Sequence, residues 1–255
     1  MPEKLILGIS LKMYFGYQQT LEWSQRIASV LREHPLASSK DAGFFLFPST
    51  PAIAGVQACF QGTSMKIGAQ DMSSCEPGAW TGETSAAMLA EMGCQVVELG
   101  HAERRRHFHE SQDLINRKIH ISLNNGLTPV ICIGEDDQVT PAQAMNIAIT
   151  EAKAIIDALP EGLRHKALVF AWEPKWAIGA AQPASVAYIR TVCRGLKEAL
   201  NEMSPESKVI YGGSAGPGLL TQLWPDVDGL FLGRFAHQPT AFQSILDEAA
   251  ELLTS

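Results

Sequence analysis

The sequence predicts an α/β chain wound into one closed (β/α)8 barrel, and three observations carry that reading. Eight short apolar stretches recur along the 255 residues, each of a length that suits a strand buried on both faces. Between them lie amphipathic or alanine-rich segments that hold a helical period of about 3.6 residues with no internal proline. No low-complexity linker divides the alternation, so residues 1–255 read as one domain. An open doubly wound sheet is the competing arrangement, and eight repeats at this length favour closure.

The first strand, Leu5–Ser10, is apolar up to a terminal serine, and the helix read at 20–32 spaces Trp23, Ile27 and Leu31 along one face. Apolar runs at 44–47 and Met65–Ala69 supply the second and third strands, with no helix assigned between them. Residues 85–92 form the next helix, and 95–100 the fourth strand. A helix at 113–124 leads to the fifth strand at 129–133, followed by the alanine-rich 141–158, whose proline stands at its start. The sixth strand, 168–172, precedes a helix at 183–203, and the seventh, 209–211, a short one at 218–223. The eighth strand, Gly229–Leu232, is followed by a last helix at 240–253.

With 46% apolar residues the chain has ample material for a core, and a net charge of −7 argues against a general nucleic-acid or membrane surface. The basic run Arg104-Arg105-Arg106 is short and reads as a solvated or ion-paired helix face. Five cysteines (Cys59, Cys75, Cys94, Cys132, Cys193) are odd in number, widely spaced and lack a Cys-x-x-Cys pair, as expected of reduced thiols in a cytoplasmic protein. The first residues, with one lysine before a brief apolar stretch, read as neither a signal peptide nor a membrane span.

Active sites in such a barrel are assembled from the loops at the carboxyl ends of the strands. Lys12 follows the first strand, His101-Ala102-Glu103 the fourth, Glu173 the sixth, Gly212-Gly213-Ser214 the seventh and Gly233-Arg234 the eighth. Pro174 stiffens the exit from Glu173, and Ala177-Ile178-Gly179 make a small apolar tip suited to a lid. A cation, an imidazole and a carboxylate on one mouth make an acid/base site, with an anion-binding corner in the glycine-rich turns beside it. Each residue alone has a plainer reading: Lys12 as a solvated charge, His101 as an N-cap or buried histidine, Glu173 as an N-cap or surface acid. His101, His107 and His109 match no common zinc spacing, and 212–218 lack the dinucleotide fingerprint, so neither a metal nor a nucleotide cofactor is expected.

Seven blocks run in order along the chain: Leu11-Lys12-Met13, Gly68-Ala69-Gln70, Gly78-Ala79-Trp80-Thr81-Gly82-Glu83, Leu99-Gly100-His101-Ala102-Glu103-Arg104-Arg105, Cys132-Ile133-Gly134-Glu135, residues 173–179, and Tyr211-Gly212-Gly213-Ser214. Together they resemble the triose-phosphate isomerase family, whose fold is the TIM barrel. The resemblance implies a cofactor-free proton transfer, with Glu173 as base, His101 as an uncharged electrophile and Lys12 as the anchoring cation. It also implies that Glu103 supports the site and that a phosphate rests on backbone N–H groups near Gly179, Ser214 and Gly233. A small phosphorylated sugar would be the substrate. The long loop 70–83, with Cys75 and Trp80, would dock into a second copy to make a homodimer.

Several positions depart from that family. The first-strand block reads Ser10-Leu11-Lys12-Met13-Tyr14 where the family has Asn-Trp-Lys-Met-Asn, and Gly233-Arg234 stands for a Gly-Gly pair. Ala102 replaces the serine after the histidine, and Lys175 occupies the second lid position. Ser10, Trp80, Glu98 and the run 229–234 resemble instead the tetrulose-phosphate isomerases of erythritol catabolism, which interconvert L-erythrulose 1-phosphate and D-erythrulose 4-phosphate. That likeness implies a pocket widened at Ser10, with Arg234 on the phosphate or on the added hydroxyl. A glycolytic triose-phosphate isomerase and a non-catalytic sugar-phosphate-binding relative are the other readings. The presence of Lys12, His101 and Glu173 together speaks against the last.

Overall fold

A computed structural model describes residues 3–178 and 183–254. Its parallel strands follow one another around a closed barrel in chain order: β1 (Leu5–Ser10), β2 (Ala42–Phe47), β3 (Met65–Ala69), β4 (Val96–Leu99), β5 (Thr128–Ile133), β6 (Val169–Trp172), β7 (Lys208–Tyr211) and β8 (Gly229–Leu232). Closure is made by β8 pairing back onto β1, with Ile6 opposite Gly229 and Ile9 opposite Leu232. The open sheet is therefore not the arrangement adopted.

Around the strands lie α1 (Tyr17–Glu33), α2 (Ile53–Cys59), α3 (Ala86–Glu91), α4 (Ala102–His107), α5 (Gln112–Asn124), α6 (Pro141–Asp157), α7 (Val186–Met203), α8 (Leu219–Leu223) and α9 (Pro239–Thr254). Two of these, α2 and α4, go beyond the sequence expectation. α2 buries only Ile53 and Val56, and α4 buries none of its residues and so has no apolar stripe to read. Among the described residues no helix is long and apolar enough to cross a membrane.

Side chains alternate along each strand, so the barrel has two cores. Leu5, Leu7 and Ile9 of β1 face the helices and join the large outer cluster. Ile6, Phe45, Phe47, Val96, Val130, Cys132, Val169, Ala171, Ile210 and Phe231 form the separate inner cluster. The same period of two carries Ser10 onto the inner face after Ile6, Glu98 after Val96, and Glu173 after Val169 and Ala171. The inner face thus changes from apolar to polar at the carboxyl ends of the strands.

The first two arginines of the run form an ion-paired and hydrogen-bonded brace. Arg104 reaches Asp71 and Glu110, each at 2.7 Å, and Lys118 reaches the same two acids at 2.7 and 2.6 Å. Arg105 donates to the Gly100 carbonyl at 2.7 Å and to Gln112 at 3.0 Å. These contacts tie α4, and with it the residue that begins it, to the loop after β3 and to α5.

Candidate active site

A cleft of about 820 Å³ opens at the carboxyl ends of the strands and is lined by Ser10, Lys12, His101, Glu103, Glu173, Gly212, Gly213, Ser214, Gly233 and Arg234. The structure thus brings to one mouth all the site residues read from the sequence except Gly179, which lies outside the described residues.

Lys12 leaves β1 in the left-handed region, at a φ of 49°, a conformation that costs a residue with a Cβ and that its surroundings must hold. Its carbonyl accepts from Gln70 Nε2 at 2.9 Å and from Ser49 Oγ at 3.2 Å. Its ammonium lies 2.8 Å from Glu103 Oε1. Burial works against the charge, but the Glu103 hydrogen bond and the nearby Glu173 and Glu98 outweigh it and hold the lysine pKa above its ordinary value. Glu103 is shifted the other way: burial opposes its ionisation, and Lys12 and His101 more than offset that.

His101 is both the N-cap of α4 and a wall of the cleft, so the two plain readings of it and the functional one coincide. Its Nδ1 accepts the Glu103 backbone N–H at 3.2 Å, which places the proton of the neutral ring on Nε2, on the side facing Glu173. Burial and then the Lys12 charge bring its pKa down to about 4, so the ring is uncharged at neutral pH.

Glu173 sits where β6 ends, its N–H still bonded to the Ile133 carbonyl at 2.8 Å. Glycines on both sides make room for it. A Cβ on Gly134, at a φ of 147°, would overlap the Glu173 carbonyl oxygen, and one on Gly212 would stand 2.5 Å from Glu173 Cγ. Burial pushes the Glu173 carboxyl up to about 8; Lys12 pulls against this, while Glu98 and Glu103 add to it. The acid and the imidazole, 3.4 Å apart, have had their pKa values moved in opposite directions by one dry environment. That combination suits proton abstraction next to a carbonyl, with a neutral donor for the oxygen that gains charge.

Beyond Glu173 the chain is anchored before it leaves the described residues. Glu135, after β5, accepts from Trp172 Nε1 at 3.2 Å, Trp176 Nε1 at 3.0 Å and Tyr188 Oη at 2.9 Å. Lys175 pairs with Asp136 at 2.9 Å, and Ser214 Oγ donates to the Ala177 carbonyl at 3.3 Å. Gly212, Gly213, Ser214, Gly233 and Arg234 line the cleft, and the glycines among them leave backbone uncovered by side chains, as an anion-binding corner requires.

Glu98, in sequence only a point of likeness, has a buried carboxylate, 3% exposed, that accepts from Ser10 Oγ at 2.8 Å. The signal was present: an acid within the apolar run Val96-Val97-Glu98-Leu99. Glu135, to which its position in the sequence assigns no role, is an acceptor for three donors.

Similarity to known proteins bears on this geometry. The family model described as triosephosphate isomerase matches residues 5–249. An L-erythrulose-1-phosphate isomerase of Pectobacterium atrosepticum is 49% identical, over 98% of this chain and 97% of its own length. Another protein of that name, from Brucella abortus, is 34% identical over 97% of each chain, and a probable triosephosphate isomerase 2 of Listeria monocytogenes is 33% identical over 95% of this chain and 96% of its own.

Proposed function

Because the chain belongs to the triosephosphate isomerase family and is a sugar-phosphate isomerase, we propose that it interconverts L-erythrulose 1-phosphate and D-erythrulose 4-phosphate, with Glu173, His101 and Lys12 as its catalytic residues. The observation that carries the mechanism is the facing of Glu173 Oε2 and His101 Nε2 at 3.4 Å across a cleft that also holds an ammonium.

In the forward direction Glu173 removes the proton from the hydroxyl-bearing carbon beside the carbonyl. The C–H pair becomes the carbon–carbon double bond, and the carbonyl electrons move onto oxygen. His101 donates its Nε2–H to that oxygen, and the Lys12 ammonium offsets the charge. Glu173 then returns the proton to the carbon that carried the carbonyl, while the neighbouring hydroxyl gives its proton back to His101 Nε2 and becomes the new carbonyl. Atoms and electrons balance within substrate, carboxylate and imidazole, with no external oxidant or reductant.

The four-carbon substrate is dihydroxyacetone phosphate with a hydroxymethyl group on the reacting carbon, so it needs more room than the three-carbon one. The small Ser10 side chain at the floor of the cleft supports that reading, as do the names of two of the relatives. Arg234, on the anion-binding side, is assigned to the phosphate. The test is kcat/KM for both tetrulose phosphates beside D-glyceraldehyde 3-phosphate in one buffer. A large preference for the tetruloses supports the reading, and a preference for the triose replaces it with the three-carbon reaction.

The partner we propose is a second copy of the chain. Met13 after β1 and Trp80 after β3 are 90% and 55% exposed, a costly display of apolar surface for a lone subunit. Five free thiols suit a cytoplasmic location.

A further inference from the structure

Ser10 and Glu98 are 88 residues apart, on β1 and β4, which are not neighbours in the barrel, so their 2.8 Å hydrogen bond crosses the interior. Ser10 lines the cleft and Glu98 does not. A serine hydroxyl has one proton and two lone pairs. When that proton is committed to a carboxylate beneath the floor, the face left towards the cleft can only accept.

The other polar groups nearby have different tasks. Lys12 and His101 Nε2 are donors aimed at oxygens, Glu103 is engaged by Lys12, and Glu173 is the base. Ser214 Oγ, whose proton goes to the Ala177 carbonyl, belongs to the corner assigned to the phosphate, so Ser10 Oγ is the acceptor left for a group that brings its own proton. The four-carbon substrate differs from the three-carbon one by such a group, a hydroxyl on an added carbon. From this geometry we infer that the Ser10–Glu98 pair is the specificity determinant for the hydroxymethyl group: Glu98 is a positioning residue that orients the serine, and Ser10 Oγ accepts the substrate hydroxyl.

The inference rests on the tetrulose reading and deepens it. Glu98 is otherwise hard to account for, because a carboxylate among the side chains of the barrel interior is costly and an apolar residue would pack there more favourably. Burial pushes its carboxyl up to about 7, opposed by the Ser10 hydrogen bond and Lys12 and aided by Glu103 and Asp71. At pH 8 the ionised form predominates and has no proton to give back to Ser10.

The test is the ratio of kcat/KM for the tetrulose phosphates to kcat/KM for D-glyceraldehyde 3-phosphate, at pH 8, in wild type, Ser10→Ala, Glu98→Leu and Glu98→Gln. The ratio falls about tenfold or more in Ser10→Ala and Glu98→Leu, mainly through a higher tetrulose KM, because the hydroxyl contact exists before and during the transition state. Glu98→Gln keeps an acceptor oxygen and restores part of the ratio. A ratio unchanged in Ser10→Ala, in an enzyme whose wild type prefers tetruloses, overturns the inference and leaves the proposed function standing. A wild type that prefers the triose overturns both, and is seen before any variant is made. Equal loss of kcat for all substrates in Glu98→Leu would reduce Glu98 to a structural residue and also overturns its positioning role. Should that variant fail to fold, Ser10→Ala decides alone.

Discussion

Glu173 Oε2 faces His101 Nε2 across 3.4 Å and is buried without a hydrogen bond of its own. A carboxylate oxygen in that position lacks the solvation that would quench it as a base, while the group opposite is held neutral and able to donate. The site therefore keeps an unsatisfied acceptor where a substrate proton is to be taken.

The base must be ionised to act, and burial has pushed its carboxyl up to about 8. Rate should therefore rise with pH through about 8 and level off above it, the reverse of a reaction waiting on a protonated acid. His101, already neutral above about 4, should add no second limb between pH 5 and 9. A pH profile of kcat/KM, which reports the free enzyme, checks both statements.

Glu173→Gln keeps the shape of the side chain and removes its basicity. Turnover should fall by about 10²–10⁴-fold, while inhibition by inorganic phosphate changes little. Near-normal turnover would remove Glu173 from the chemistry.

Gly212→Ala tests the space beside the base rather than the base itself. The added methyl would stand 2.5 Å from Glu173 Cγ and 2.6 Å from Oε1, so the carboxylate has to move. A displacement on the order of 1 Å costs about 10²-fold in kcat. Normal kcat in a folded Gly212→Ala protein, measured in steady state, would show that Glu173 is placed by something else.

Arg234 stands at the corner assigned to the phosphate, a group common to both candidate substrates. Arg234→Gly should lower kcat/KM for tetrulose and triose phosphates alike, by about 10–100-fold, the scale of a charge-assisted hydrogen bond. A loss confined to the tetruloses would move the guanidinium to the added hydroxyl.

For the oligomer, sedimentation at micromolar concentration should give a dimer, and Trp80→Glu should shift it towards monomer by placing a charge in the contact. A wild type that sediments only as a monomer would remove the second copy as a partner.

Much of this protein is written in local patterns. Short apolar runs alternating with helical periods predict the barrel, because strands buried on both faces and helices buried on one leave different spacings. Strand-end position picks out Lys12, His101 and Glu173, and the period of two puts Glu173 on the face of Val169 and Ala171, which only the closed barrel makes the inner one. The helices α2 and α4 escape, because α2 buries only two residues and α4 is set by a cap and ion pairs rather than by an apolar face. The pairing of Ser10 with Glu98, the ring nitrogen of His101 that keeps its proton, and the opposite pKa shifts of His101 and Glu173 belong to the tertiary structure alone. Each depends on which groups meet across the closed barrel and on how little water reaches them, and neither distance nor dielectric is a property of neighbouring residues in the chain.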